Sequence, residues 1–447
     1  MTGPWLGAVA DDLTGACDLA DAVSEAGGSA VVVVGHPTAP PPACDCVVVA
    51  LKSRTAPGGQ AVAESLAAAR WLLDAGCTTL YQKYCSTFDS TDEGNIGPVA
   101  DALVDLVGGA DTIAVGTPAT PRVGRTVYQG HLFVGRQLLS ESPLRDHPLT
   151  PMRDPDLVRV LSRQAEGRVA LVDWATVAAG PAAVIAAVEA ARRDGARHVI
   201  VDALADGDLD TLATALLATP ESGRLVGGAA GLAAALARVS GTVAGSPVAG
   251  SPVAGSPVAG AGPGGAVAAR AVPVVPEGRR LILSGSCSAR TREQVDGFSG
   301  PRVALSPVDL DTSFPATVDA VAAAVARAYR DTAGPVLVTS SADPEQVARY
   351  ESRLGPGRAA ALLEAATAQI ARRAVDTLGV RRLLVAGGET SGAVVRALDL
   401  GTLRVGPAAG PGLPWMVPEG GPALALLFKS GNFGAPDLFD TAWRHCP

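Results

Sequence analysis

At 447 residues the chain is long enough for two or three domains, each with its own core. Hydrophobic residues make up 48%, chiefly Ala, Val and Leu, which excludes a disordered chain. The net charge of −8 argues against nucleic acid as a main partner.

Apolar runs are broken by Gly, Asp or Arg well short of a membrane-spanning length, so no membrane span is expected. Met1 to Ala10 has neither the basic start nor the long apolar centre of a secretory signal. Seven cysteines are scattered with no CxxC pair, which predicts a reduced, cytoplasmic protein, with Cys44 and Cys46 as small buried thiols. Cys44 and Cys46 could hold a metal only with a second Cys/His pair, and none stands at useful spacing.

Leu6 to Ala10 reads as a buried strand that runs into Asp11-Asp12-Leu13-Thr14-Gly15 and then a helix towards Gly27. One of the two carboxylates is enough for a helix cap, so at least one is a candidate for chemistry. Ser29 to Gly35 and Cys46 to Leu51 are the next strands, and the second delivers Lys52 and Arg54 to the same sheet edge. A helix over Ala61 to Ala75 and a strand over Thr78 to Lys83 follow. The loop from Tyr84 to Pro98 is dense in hydroxyls, carboxylates and an amide, among them Ser86, Thr87, Asp89 and Asn95. Such a loop can hydrogen-bond a polyol, although Ser/Thr/Asp runs are more often turns and caps. After a strand at Ile113 to Val115, Arg125 to Val134 alternates like an extended ribbon, and Pro143 to Arg153 is a Pro-rich connector. Strands at Val169 to Val172 and His198 to Val201, with Ala-rich helices around them, complete a doubly wound α/β domain.

From Gly241 the composition changes to Gly-Ser-Pro-Val-Ala repeats, which cannot bury a core and act as a linker. The predicted boundaries are 1–240, a linker at 241–277, and 278–447. The second half repeats the α/β pattern, with strands at Leu281 to Leu283, Val336 to Val338, Leu383 to Ala386 and Ala423 to Phe428. Helices are predicted over Val318 to Tyr329 and Arg358 to Leu378. Three of its strand ends carry Gly/Ser turns: Gly285 to Ser288, Gly387 to Gly392, and Lys429 to Gly434. Paired glycines leave no Cβ in the way of a ligand, Thr390 or Ser391 is placed to cap a helix, and a helix start attracts anions. Ligands of open α/β sheets bind at such carboxyl ends.

A cleft between two α/β domains, with carboxylates and cations on one side and Gly/Ser turns on the other, implies group transfer from a nucleotide to a small polar acceptor. There is no GxxxxGK[ST], GxGxxG, GxSxG or HExxH motif. A non-catalytic sensor and an oxidoreductase are the competing classes. A sensor has no need of the phosphate-type turns, and an oxidoreductase would carry a dinucleotide fingerprint.

Eight stretches together resemble one family. They are ADDLTGA (10–16), LKSR (51–54), CSTFDSTDEGNIGP (85–98), GRTVYQGHLFV (124–134), HPLTPM (147–152), GSCS (285–288), GGETSGAV (387–394) and KSGNFG (429–434). In this order they resemble the four-carbon acid sugar kinases, and the forms of the 85–98 and 124–134 stretches look most like the 3-oxo-tetronate kinase branch. Threonate and erythronate kinases carry other versions of these loops. The resemblance implies a sugar-acid-binding N-terminal domain and an ATP-binding C-terminal domain around an interdomain cleft. It implies ATP, with Mg²⁺ carried on it, as co-substrate, no metal site of the protein's own, and 3-oxo-tetronate 4-phosphate as product. The expected partners are the sugar acid and ATP, neither nucleic acid nor membrane, with a homodimer allowed. The acid's expected ligands are Lys52, Arg54, Ser86, Thr87, Asn95 and Arg125. Those of ATP are Ser286, Ser288, Gly387, Gly388, Glu389, Thr390 and Gly431. Asp12 is the first choice of base, followed by Asp11 and Asp89.

Overall fold

A computed structural model of the chain describes residues 3–37, 39–108, 112–146, 150–219, 225–243 and 274–447. The Gly-Ser-Pro-Val-Ala repeats lie outside the described residues, as do His147, Pro148 and Leu149.

The N-terminal half holds β1 (Leu6–Ala10), β2 (Ala30–Val34), β3 (Cys46–Ala50), β4 (Thr79–Lys83) and β5 (Ala114–Thr117). It continues with β6 (Arg125–Tyr128), β7 (His131–Val134), β8 (Gln137–Leu138), β9 (Arg168–Val172), β10 (Ala196–Val201) and β11 (Leu225–Gly228). The C-terminal half holds β12 (Arg279–Ser284), β13 (Arg302–Ala304), β14 (Val336–Thr339), β15 (Val380–Ala386), β16 (Thr402–Ala408), β17 (Pro414–Pro418) and β18 (Ala425–Lys429).

β1, β3 and the Leu383 to Ala386 end of β15 are short apolar runs because both faces of the sheet are covered by helices. Period-two alternation splits them between two cores. Ala8, Val48 and Val32 pack on one face, and Val9, Val47 and Val31 on the other. β6, β7 and β8 form a separate antiparallel ribbon, tied to the domain where Val127 bridges Ala203.

The two α/β units expected from the sequence are present, and they share one 15-stranded sheet. Its order is β13-β14-β12-β15-β18-β17-β16-β2-β3-β1-β4-β11-β5-β10-β9. The junction is the antiparallel pair β16–β2, which sets Leu403 opposite Val32. The helix Leu13–Glu25 lies against both halves, touching β16, β17, β18 and the helix Gly388–Ala397. Its buried face is rich in Ala16, Cys17, Ala20 and Ala22, small residues that permit close approach.

The sequence pattern does not predict β16 and β17. Pro414, Pro418 and Gly406 interrupt their patterns, and such residues argue against a strand interior. β11 was also passed over. The helix after Gly387 begins at Gly388, so Thr390 and Ser391 sit inside its first turn and do not cap it. All seven cysteines are free thiols, and Cys44 and Cys46 are buried as expected. Among the described residues no helix is long and apolar enough to cross a membrane.

The shared sheet makes a prediction. After a protease site placed within 244–273 is cut, the two halves should still co-elute on size exclusion. Leu403→Ala, at a fully buried junction position, should cost about 2–5 kcal/mol by urea unfolding and weaken that association. Separate elution of the wild-type halves would show that the junction does not hold them.

Candidate active site

The chain leaves β1 at Asp11 and Asp12. Asp12 is the cap of the following helix: its Oδ1 accepts from Gly15 N at 2.8 Å, and its Oδ2 accepts from the Thr14 hydroxyl at 2.6 Å. Gly15 is glycine for want of room. A Cβ there would stand 2.5 Å from Asp12 Oδ1 and 3.1 Å from Lys83 Nζ.

Arg54, from the loop after β3, is the hub. It grips Asp11 with two bonds, Nε–Oδ2 at 2.9 Å and Nη2–Oδ1 at 2.8 Å. It reaches Asp12 Oδ1 at 3.0 Å and Asp89 Oδ2 at 3.7 Å. Burial alone would push the Asp12 carboxyl up. Arg54, the Thr14 hydroxyl, Lys83 and the Gly15 N–H together outweigh burial and hold it below the ordinary carboxylate value. Burial also opposes the Arg54 charge, and Asp11 and Asp12 more than restore it.

Lys83, the last residue of β4, belongs to the same group and was not singled out from the sequence. It is only 2% exposed, and its ammonium donates to Tyr84 O at 2.9 Å. The available signal was a lysine closing the otherwise uncharged strand TLYQK. Asp11, Arg54, Lys83 and Asp89 line one cavity.

The hydroxyl-rich loop serves this cluster in two ways. Thr87 donates to Asp89 Oδ1 at 2.6 Å, with the Cys85 thiol 3.0 Å from the same hydroxyl. Asn95, expected to bind the acid directly, spends its amide on Ser53 O at 2.7 Å and Ala56 O at 2.8 Å. It clamps the loop that carries Arg54. Ser86 is half-buried beside Thr87. Arg125, at the start of β6, donates from Nη1 to Val123 O at 2.8 Å, while its buried Nε has no partner among the described residues. Burial lowers its pKa against the pull of Cys85 and Asp89.

Lys52 departs from expectation. It is ion-paired to Glu389 and, at 3.3 Å, to Glu364, so it ties the N-terminal half to the C-terminal half. Glu389, expected at the nucleotide, is its partner.

The three Gly/Ser turns sit at the ends of β12, β15 and β18, which are adjacent in the sheet. Ser288 caps the helix Ala289–Gly297 and donates to Gly431 O at 2.6 Å; Thr291 donates to the same oxygen at 2.8 Å. A Cβ on Gly285 would meet the Thr390 hydroxyl at 2.3 Å, and one on Gly431 would meet Ser286 Oγ at 2.8 Å. Gly387 adopts φ 124°, which L side chains rarely take. These turns then face the N-terminal half: a methyl group built on Gly388 would lie 3.6 Å from Asp12 Oδ2.

Comparison with known proteins matches this division. Residues 6–236 fit the model of a sugar-binding N-terminal domain, and residues 281–439 that of a nucleotide-binding C-terminal domain. A 3-oxo-tetronate kinase of Burkholderia multivorans is 43% identical, over 99% of this chain and 97% of its own length. One of Methylobacterium radiotolerans is 45% identical, over 98% of each chain. A crystal structure from Salmonella typhimurium LT2 superposes with a TM-score of 0.81 at 36% identity, over 99% of each chain. One from Haemophilus influenzae superposes with a TM-score of 0.71 at 35% identity, over 98% of each chain. Both domain models are matched in order and the relatives run the full length, so the chain belongs to the four-carbon acid sugar kinase family.

Proposed function

We propose that this chain transfers the terminal phosphoryl group of ATP to a hydroxyl of a four-carbon sugar acid, with 3-oxo-tetronate as acceptor and 3-oxo-tetronate 4-phosphate as product. The single observation that carries the reading is the approach of Asp12 to Gly388. It brings the carboxylate cluster of the sugar-binding half against the Gly/Ser turns of the nucleotide-binding half. The names of the relatives favour the substrate. Residues 1–240 and 278–447 are taken as the two working domains, with 241–277 as the connection. The free thiols suit a reduced, cytoplasmic setting.

In this proposal Asp12 accepts the proton of the attacking hydroxyl, with Asp11 and Asp89 holding the same Arg54. Arg125 takes the acid's carboxylate along its buried Nε edge, since Lys52 is tied to Glu389 and Arg54 is spent on three carboxylates. Ser86 and Thr87 lie beside them for the acid's hydroxyls. Ser286, Ser288, Gly387, Gly388, Thr390 and Gly431 form the phosphate-facing surface, where backbone N–H groups do the work of a P-loop. Among the described residues no group of three or more His, Cys, Asp or Glu is arranged as a metal site. Asp11, Asp12 and Asp89 are committed to Arg54, so Mg²⁺ would come in on the phosphates of ATP.

A panel of four-carbon sugar acids with ATP and Mg²⁺, read by ADP release, should give the highest kcat/KM with 3-oxo-tetronate. Preference for threonate or erythronate would move the chain to another branch, and nucleotide turnover with none of them would sink the reading. Asp12→Asn keeps a capping oxygen and removes the proton acceptor, so kcat should fall by roughly two to four orders of magnitude, with KM little changed. Near-normal kcat would leave Asp12 as a cap alone. Arg125→Lys loses the paired N–H geometry and should raise KM for the acid about 10- to 100-fold, leaving KM for ATP nearly unchanged. Equal effects on both substrates would count against the assignment.

A further inference from the structure

We infer that Lys429 is a proton-linked charge beneath the nucleotide site: phosphates held at the Gly/Ser turns draw a proton onto it. The inference rests on the reading of the C-terminal half as the nucleotide-binding half.

Lys429 closes β18 and is wholly buried, at 0% exposure. Its Nζ meets three oxygens: Thr291 Oγ1 at 2.8 Å, Gly431 O at 2.8 Å and Ser430 O at 3.0 Å. Both protonation states satisfy this arrangement. The ammonium donates one N–H to each oxygen, while the Thr291 hydroxyl donates to Gly431 O at 2.8 Å. The neutral amine donates to the two carbonyls and accepts from the Thr291 hydroxyl, which needs only to rotate. Hydrogen bonding therefore does not decide the state, and nearby charge does.

The chain supplies little of the right sign: at the helix Leu13–Glu25, which packs on β18, burial pushes Asp18 and Asp21 towards the neutral form, and its cap Asp12 is paired with Arg54. Arg290 and Arg292 come from the helix Ala289–Gly297, and Glu293 of that helix pairs with Arg290 at 3.4 Å. Glu389, from the adjoining turn, is paired with Lys52. Among the described residues no carboxylate lies within ion-pair distance of Nζ. Burial, and then the like charge of Arg290, push its pKa down to about 7. A polyphosphate at these turns would be the missing counter-charge. The turn that holds Lys429 packs directly on the GSCS turn, since Gly431 is pressed against Ser286 and Ser288. The lysine acts through that turn, as a positioning charge at one carbonyl's remove.

The test is calorimetry of Mg²⁺ with AMP-PNP, a nucleotide that cannot transfer its phosphoryl group, at pH 6, 7 and 8. Each pH is run in buffers of different ionisation heat. The expected result is uptake of about half a proton at pH 7. Affinity should be about tenfold weaker at pH 8 than at pH 6, because only the protonated fraction binds well. Lys429→Met should take up about half a proton less than the wild type at pH 7 and lose the pH slope that goes with it, since any protonation of the nucleotide itself is common to both proteins. Lys429→Arg, always charged, should bind with a flat profile. Wild-type binding with no proton uptake and a flat profile would overturn the inference alone, as would an uptake in Lys429→Met equal to that of the wild type. No binding at any pH would overturn the nucleotide-site reading and the inference with it.

Discussion

Three carboxylates, Asp11, Asp12 and Asp89, are gathered in a half-buried cleft, and the Arg54 guanidinium is what makes that arrangement tolerable. Like charges at such separations repel strongly when water is scarce. Arg54 answers with a paired grip on Asp11 and single reaches to the other two. Its own position is over-determined. The backbone N–H groups of Ser53 and Arg54 donate to Asp11 O, and Asn95 holds the carbonyls of Ser53 and Ala56. Removing the guanidinium would leave the three anions with Lys83 as their remaining cation in this cluster, a far larger disturbance than the loss of one surface ion pair. The ends of β1 and β3 and the loop after β4 are thereby fixed to one another.

The nucleotide half reaches an equivalent rigidity with almost no charge. Gly431 O collects hydrogen bonds from Ser288, Thr291 and Lys429. That single carbonyl joins the end of β18 to the turn after β12. The glycines at 285, 387 and 431 are there because neighbouring atoms or the backbone angle leave no place for a side chain. The proposed phosphate-facing surface is thus made from packing and backbone direction, in keeping with the absence of a familiar phosphate-loop string.

What the sequence revealed follows from which forces are local. Buried parallel strands such as β1 and β15 are legible because both faces demand apolar residues. Asp11, Asp12 and Asp89 are expected as candidate bases and Arg54 as a ligand of the acid, and the fold brings the four together with Arg54 paired to the three carboxylates. Lys83 was overlooked because a lysine closing a strand looks like a solvent-facing residue until β1 and its helix are placed beside it. Asn95 and Lys52 have the chemistry of ligands, yet their partners lie 39 residues or more away in the chain, beyond any local pattern. β16 and β17 were hidden by prolines and glycines that the antiparallel pairs at their edges accommodate.

The two seams between the halves differ in kind. At the junction, hydrogen-bonded strands and fully buried side chains such as Leu403 form a spine. At the lip, Lys52 meets Glu389 and Glu364 with side chains 45%, 49% and 27% exposed. Exposed pairs of this sort contribute about 0–1 kcal/mol each and weaken as salt shortens the reach of charge. The two halves are therefore joined by one buried seam that salt leaves intact and by one exposed seam that salt loosens.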